Sequence, residues 1–164
     1  MIYIGKCPYR ISFLGGGSDL DWFVQKENYG LSLGFALNIH TRTIIDIRSD
    51  NASYGVLNYS SREQYQSVDL IAHPLIRETL KYFKIKKFVD LSSFGFSSGG
   101  GGLGGSSSFL LSLIAALNKS FKIGMNKKEI IDSACEIDIS ILNKPIGRQD
   151  HYLCGYGGVN AFKY

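Results

Sequence analysis

The chain has 164 residues, 45% of them hydrophobic and 20% charged, with a formal net charge of +4. That length supports one domain with a real core, and the composition is that of a soluble globular protein. The mild positive charge suits anionic small molecules as well as nucleic acid and singles out neither. No apolar run approaches the eighteen or so residues of a membrane span. The opening residues, MIYIGKCPYRISF, lack the apolar stretch and small-residue cleavage site of a secretory signal. Cys7, Cys135 and Cys154 lie far apart with no CxxC pair, which fits reduced thiols in a cytoplasm better than a disulfide framework or a zinc site.

In chain order, residues 2–4 and 10–14 read as short strands on either side of Pro8. The second runs into RISFLGGGSD, residues 10–19. Three glycines give a backbone room to touch a ligand. Asp19 can accept hydrogen bonds from sugar hydroxyls, and Arg10 can offer a charged fork to phosphate. The same pattern also reads as a tight turn with Asp19 capping a helix over residues 20–25. Residues 31–38 and 42–48 read as two further strands, and residues 54–59 as a weaker one. Residues 74–83 read as a helix with Pro74 in its first turn and Leu75, Ile76, Leu80 and Phe83 toward a core. Residues 87–91 form a strand leading toward GGGGLGGSSS, residues 99–108.

This glycine run opens directly onto FLLSLIAAL, the start of a helix over residues 106–119 that is apolar on most of its circumference. A flexible linker does not end on a buried helix. Glycines let a backbone approach an anion, and a helix start offers free N–H groups and positive potential, so the segment reads as a phosphate cradle. Ser106, Ser107 and Ser108 can cap the helix or hold a metal or phosphate oxygen. No Lys-Ser or Lys-Thr follows the glycines, so this is not a Walker A loop, and no acidic residue follows at the distance a dinucleotide fingerprint needs.

Residues 126–142 read as a second helix, with Asn126 and Glu129 forming a capping box. At about 100° per residue, Ile130, Ile131, Ala134, Cys135, Ile141 and Leu142 share one face, with Asp138 near its middle and Glu136 opposite. A carboxylate there needs a partner, a metal or a water-exposed helix edge. The segment IGRQDHY, residues 146–152, then places Asp150 in a glycine-flanked turn. There it either takes a proton from a substrate hydroxyl or serves as a structural loop residue. Strands mixed with helices in this order predict an α+β domain.

Three segments, RISFLGGGSD, GGGGLGGSSSF and GRQDHY with the following YGG, occur in the order seen in the GHMP kinases (galactokinase, homoserine kinase, mevalonate kinase, phosphomevalonate kinase). Residues 6–164 resemble that superfamily, and within it the sugar kinases acting on D-glycero-D-manno-heptose 7-phosphate. The resemblance implies a two-layer fold like the second domain of ribosomal protein S5, with a mixed β-sheet covered by helices. It implies a cytoplasmic, ATP-dependent kinase that uses Mg²⁺ and phosphorylates the anomeric hydroxyl of that heptose, L-fucose being an alternative sugar. Asp150 would orient or deprotonate the acceptor hydroxyl, with Arg10 beside the transferred phosphate. Gly100, Gly101, Gly102, Leu103, Gly104, Gly105, Ser106, Ser107 and Ser108 would wrap the ATP phosphates. Gly16, Gly17, Ser18, Asp19 and Gln149 would bind the sugar. Ser106 or Ser107 with Asp138 would bind Mg²⁺, with Glu136 as a competing alignment; the family usually has Glu where Asp138 stands.

The residues before the loop, FGFSS, lack the proline that often leads into it. Members of the superfamily are about twice as long, so residues 1–164 are expected to be the N-terminal, ATP-binding domain without its C-terminal partner. The expected partner is a sugar or sugar phosphate, together with a second chain or domain that completes the site; a membrane is not expected. A non-catalytic nucleotide- or partner-binding module, or half of a split kinase, is the alternative. Nucleic acid is the weakest reading, because Lys84, Lys86 and Lys87 form the only notable basic cluster and such a cluster more often makes a solvated surface.

Overall fold

The computed structural model describes residues 1–95 and 102–164. The elements are β1 (Ile2–Leu14), α1 (Asp21–Glu27), β2 (Leu31–Ile47), β3 (Gly55–Asn58), β4 (Arg62–Tyr65), α2 (Pro74–Tyr82), β5 (Val89–Phe94), α3 (Gly105–Ser120), α4 (Lys127–Cys135), α5 (Gln149–Tyr156) and β6 (Val159–Lys163). A 3₁₀ turn at Val68–Leu70 precedes α2, and a π-helical turn, Glu136–Ile141, continues α4.

The sheet runs β1-β2-β5-β3-β4, with β6 also paired to β2. Among the described residues the pairings are antiparallel except β3 with β5, so the sheet is mixed. Burial alternates along the strands: Gly5 and Cys7 on β1 and Thr41, Thr43 and Ile45 on β2 are buried, whereas Lys6, Arg42 and Asp46 are exposed. The helices cover the buried face, giving the expected α+β domain. A methyl on Gly5 would lie 1.8 Å from the Ser112 carbonyl, so β1 passes directly against the backbone of α3.

Helix α3 belongs to both halves of the core. Leu113 and Leu117 join Ile45, Leu57, Leu80 and Leu91, while Leu110 and Ile114 join Cys7, Ile131, Ala134 and Ile137. This is why its sequence is apolar on most sides.

Several expected boundaries shift. The two short strands around Pro8 are one strand, because register shifts between Pro8 and Arg10 and between Ser12 and Leu14 absorb the proline as a bulge does. Residues 31–38 and 42–48 also form one strand, β2, long enough to pair with β6 at its start and β5 at its end. β4 was not expected from the polar sequence REQY; its Tyr65 is buried, and the hydroxyl donates to Val89 O (3.3 Å) and accepts from Val89 N–H (3.0 Å). The capping box of Asn126 and Glu129 is present. The single helix expected over residues 126–142 instead changes to a π turn after Cys135. That turn rotates the buried face, so Ile137 and Asp138 are buried and Ile141 is exposed.

Candidate active site

Arg10 joins the three segments singled out in the sequence. It lies on β1 at the bulge and is 8% exposed. Its Nε donates to Asp150 Oδ1 (2.8 Å) and its Nη2 to Asp150 Oδ2 (2.5 Å), a two-pronged ion pair. Its Nη1 donates to Gly102 O (2.5 Å) and its backbone N–H to Leu103 O (3.0 Å), so the same residue fastens the end of the glycine run to β1. Asp150 sits in the first turn of α5, where the helix dipole favours a carboxylate.

The GGG turn after β1 uses left-handed backbone at Gly15 (φ 91°) and Gly17 (φ 93°), which side-chain-bearing residues rarely adopt. Asp19 does not cap α1: that helix starts at Asp21 after Leu20 and has no side-chain cap. Asp19 is instead 2% exposed, and its carboxylate accepts from Gly17 N–H (3.1 Å) and Gln149 N–H (2.8 Å). The Ser18 hydroxyl faces the chain, with its one proton within reach of Gly15 O (2.8 Å) and Leu31 O (2.6 Å) and its oxygen accepting from Leu31 N–H (3.1 Å), which turns it away from the sugar role expected for it. Gln149 Oε1 accepts from Ser12 (3.0 Å).

A cavity of about 250 Å³ lies between these elements. Arg10, Gly17, Asp19, Gln149 and Asp150 line it, closed by the Pro145-Ile146-Gly147 segment. Of the expected sugar set, Gly16 and Ser18 are not among the lining residues. Ile146 and Gly147 belong to the segment singled out in the sequence, but Pro145 and the role of residues 145–147 as a cavity wall were not read from it, although a Pro-x-Gly stands immediately ahead of Arg148 and Gln149.

Beside Arg10, α3 begins after Gly104, which is left-handed (φ 71°) and gives no side-chain cap. A methyl at Gly102 (φ 63°) would meet nothing within 4 Å, so the backbone is open on that side. Leu103 contributes its carbonyl, Gly105 opens the helix, and Ser106 is exposed. The serines do not cap the helix as expected. Ser108 is turned inward, its hydroxyl within hydrogen-bond distance of Cys7 O (2.9 Å) and Thr41 Oγ1 (3.0 Å), structural contacts beneath the loop and not a phosphate contact. Ser107 is buried. Gly100 and Gly101 lie outside the described residues. An uncapped helix start with the open Gly102 ahead of it fits a nucleotide phosphate.

The residues expected to hold Mg²⁺ fit less well. Asp138 is fully buried, so the water-exposed helix edge is excluded. Its Oδ1 is paired with Lys144 Nζ and its Oδ2 lies 3.2 Å from His151 Nε2. Burial opposes its charge, but His151 and Lys144 together hold the carboxyl below the usual carboxylate range. A cation that replaced this pairing would have to displace an ammonium ion already in place. Glu136 lies on the surface, where its Oε2 accepts from the Tyr82 hydroxyl (2.7 Å). Among the described residues no three His, Cys, Asp or Glu side chains converge as a metal site. As placed, neither carboxylate fits a magnesium ligand.

The family described as GHMP kinases N terminal domain matches residues 74–158, more than half of the chain. The chain belongs to this family. This GHMP kinase N-terminal domain is 27% identical over 169 residues to the D-glycero-alpha-D-manno-heptose 7-phosphate kinase of Campylobacter jejuni, covering 97% of the chain and 50% of that relative. A crystal structure of a D-glycero-D-manno-heptose 1-phosphate kinase from Bacteroides thetaiotaomicron superposes with a TM-score of 0.87 at 20% identity, over 100% of this chain and 56% of the other. The Methanococcus jannaschii mevalonate kinase superposes with a TM-score of 0.75 at 17% identity, over 99% of this chain and 54% of the other. The domain thus spans about half the length of the curated relative and of these two structures. Among the described residues no helix is long and apolar enough to cross a membrane.

Proposed function

We propose that this domain is the ATP-binding half-site of a sugar kinase that transfers a phosphoryl group from ATP to a sugar hydroxyl. The names of the heptose kinases above support D-glycero-D-manno-heptose 7-phosphate as acceptor over L-fucose, and we place the transfer on its anomeric hydroxyl. One observation carries the reading: Arg10 ties Asp150, at the wall of the cavity, to Gly102 and Leu103 at the open start of α3. An acceptor in the cavity and a phosphate at the helix start are then neighbours.

ATP supplies the phosphoryl group. Gly102, Leu103, Gly104, Gly105, Ser106 and Ser107 hold its phosphates by backbone N–H groups and the dipole of α3. The acceptor lies against Gly17, Asp19 and Gln149. Asp150 accepts the hydrogen bond of the reacting hydroxyl and takes its proton. Arg10 occupies one lone pair on each Asp150 oxygen and leaves others for that contact. The Arg10 charge also balances Asp150 beside an incoming polyanion. Phosphoryl transfer depends chiefly on positioning and charge stabilisation, which these contacts provide. Asp138 and Glu136 take no part.

The test begins with calorimetric titration of the chain with a non-hydrolysable ATP analogue and with heptose 7-phosphate. Binding of both is expected; a well-folded chain that binds neither overturns the reading. In a phosphotransfer assay Asp150→Asn is expected to lower kcat about a hundredfold or more, and near-normal turnover would remove Asp150 from the mechanism.

A second reading is a module that works only with a partner chain, as half of a split kinase or as a binding domain. The observation favouring it is an apolar surface at one end of the sheet. Phe13, Leu14, Leu31 and Val159 are exposed where β1, β2 and β6 pair, and the Phe13 ring packs against Phe35 at 5.1 Å, tilted by 36°. Nucleotide binding without transfer by the isolated chain, restored by a second polypeptide, would favour this reading.

A further inference from the structure

Helix α5 carries Asp150 but does not cap itself. Its N-cap residue, Arg148, is in a helical conformation with no side-chain cap, and its guanidinium is turned to Asp21 (Nη2 to Oδ1, 3.2 Å). The first N–H of the helix, that of Gln149, is instead held by Asp19 Oδ2 at 2.8 Å, from a residue 130 positions away in the chain. The other oxygen, Oδ1, accepts from Gly17 N–H at 3.1 Å. Asp19 is almost wholly buried, so its charge faces the positive end of α5 with little water to screen it.

We infer that Asp19 is the N-terminal cap of α5, and through it a positioning residue for Asp150; this rests on reading Asp150 as the group that takes the acceptor proton. A second contact supports the assignment independently. A methyl on Gly147 would lie 2.0 Å from Asp19 Oδ2, so the chain entering α5 is pressed against the carboxylate as only glycine allows. Two constraints then define where Asp150 sits. Asp19 holds the backbone one residue before it, and Arg10 holds its carboxylate in a fork. Two lone-pair positions of Asp19 are taken by backbone amides, so any contact with a sugar hydroxyl is additional to this role. A small displacement of the first turn of α5 would move the proton acceptor off line, and misplacement by about 1 Å can cost about a hundredfold in rate.

The test uses the chain in solution, first without substrate. The readouts are hydrogen exchange of the Gln149 amide and the resonance of Arg10 Nε–H, which reports its bond to Asp150. Asp19→Ala is expected to speed Gln149 exchange about tenfold or more and to shift the Arg10 Nε–H resonance. Gly147→Ala is expected to move both in the same direction although Asp19 is still present. Asp19→Asn, which keeps one acceptor oxygen, is expected to recover part of the protection. Asn126→Ala, which removes the cap of a different helix, is expected to move neither.

In phosphotransfer, Gly147→Ala, which leaves the Asp19 carboxylate in place, is expected to lower kcat while KM for the sugar stays within about twofold; Asp19→Ala is expected to lower kcat and also to raise KM, because the acceptor lies against it. Unchanged Gln149 and Arg10 signals in both variants, with a rise in KM alone for Asp19→Ala, would overturn the proposal and leave Asp19 as a sugar contact. If Asp19→Ala does not fold, Gly147→Ala and Asp19→Asn carry the same test. Failure of the kinase reading is distinguishable, because it would abolish the transfer measurements and leave the two resonance effects in place.

Discussion

The starts of α3 and α4 are built in opposite ways. At α4, Asn126 accepts from Glu129 N–H (3.0 Å) and Glu129 Oε2 accepts from Asn126 N–H (2.7 Å), so the helix closes its own end within four residues. At α3, the N-cap is a left-handed glycine with no side-chain cap, although three serines follow that are chemically able to supply hydroxyls. Helix α4 is anchored at its far end as well, where its π turn carries Asp138 to Lys144 and His151. A helix that only has to pack is satisfied locally. A helix whose start is left open has N–H groups available to a ligand.

The largest effect on this contrast is expected at the anchored end of α4. Lys144→Met would leave Asp138 buried without its ammonium partner and cost about 2–3 kcal/mol, below the full value for a buried pair because Lys144 is partly exposed. Urea unfolding measures it, and Asp138→Asn combined with Lys144→Met should recover part of the loss. The sign of the pH dependence follows from the depressed Asp138 carboxyl. Its stabilisation is present above the ordinary carboxylate pKa and is lost as pH falls through the lower folded value. The double variant should therefore lose less stability on acidification than the native chain.

The next largest effect should come from closing α3. Ser106→Asp puts a carboxylate at the open helix start. It is expected to raise stability by about 0.5 kcal/mol while weakening nucleotide binding about tenfold. Thermal unfolding and calorimetry would show the two changes together; unchanged nucleotide affinity would mean that the start of α3 is not where the phosphates bind. Opening α4 by Asn126→Ala should cost about 1 kcal/mol and leave nucleotide affinity as it was.

The smallest expectation concerns the core that both helices share. Burial pushes the Cys7 and Cys135 thiols up to about 12, so at pH 8 they should stay protonated and fail to react with a disulfide reagent until the chain unfolds. Rapid native-state labelling would show that the core cluster around Leu110, Ile131 and Ala134 opens readily.

The residues of the candidate site were more legible in the sequence than the geometry that unites them. Arg10, Asp19, Gln149 and Asp150 stood out beside glycines, and all four line one cavity. The role of Ser108 was misread, because a hydroxyl in a helix's first turn looks the same whether it faces a ligand or, as here, Cys7 and Thr41. Asp138 was recognised as a costly carboxylate in an apolar stripe. Its partner Lys144 was not, since the π turn that brings them together breaks the 3.6-residue period on which the stripe was counted.

The chain's local pattern was sufficient for the capping box of α4, the proline start of α2, the glycine-rich approach to α3 and the all-round apolar character of that helix. These depend on interactions spanning a few residues, or on side-chain type alone. The joining of strands across Pro8, the Arg10–Asp150 fork and the capture of Gln149 by Asp19 came from packing. The first depends on what β2 offers opposite the bulge. The other two join residues 140 and 130 positions apart. No local preference encodes such distances; they are settled when the sheet brings β1 beneath α3 and α5, where buried charges must find partners or pay the cost of desolvation.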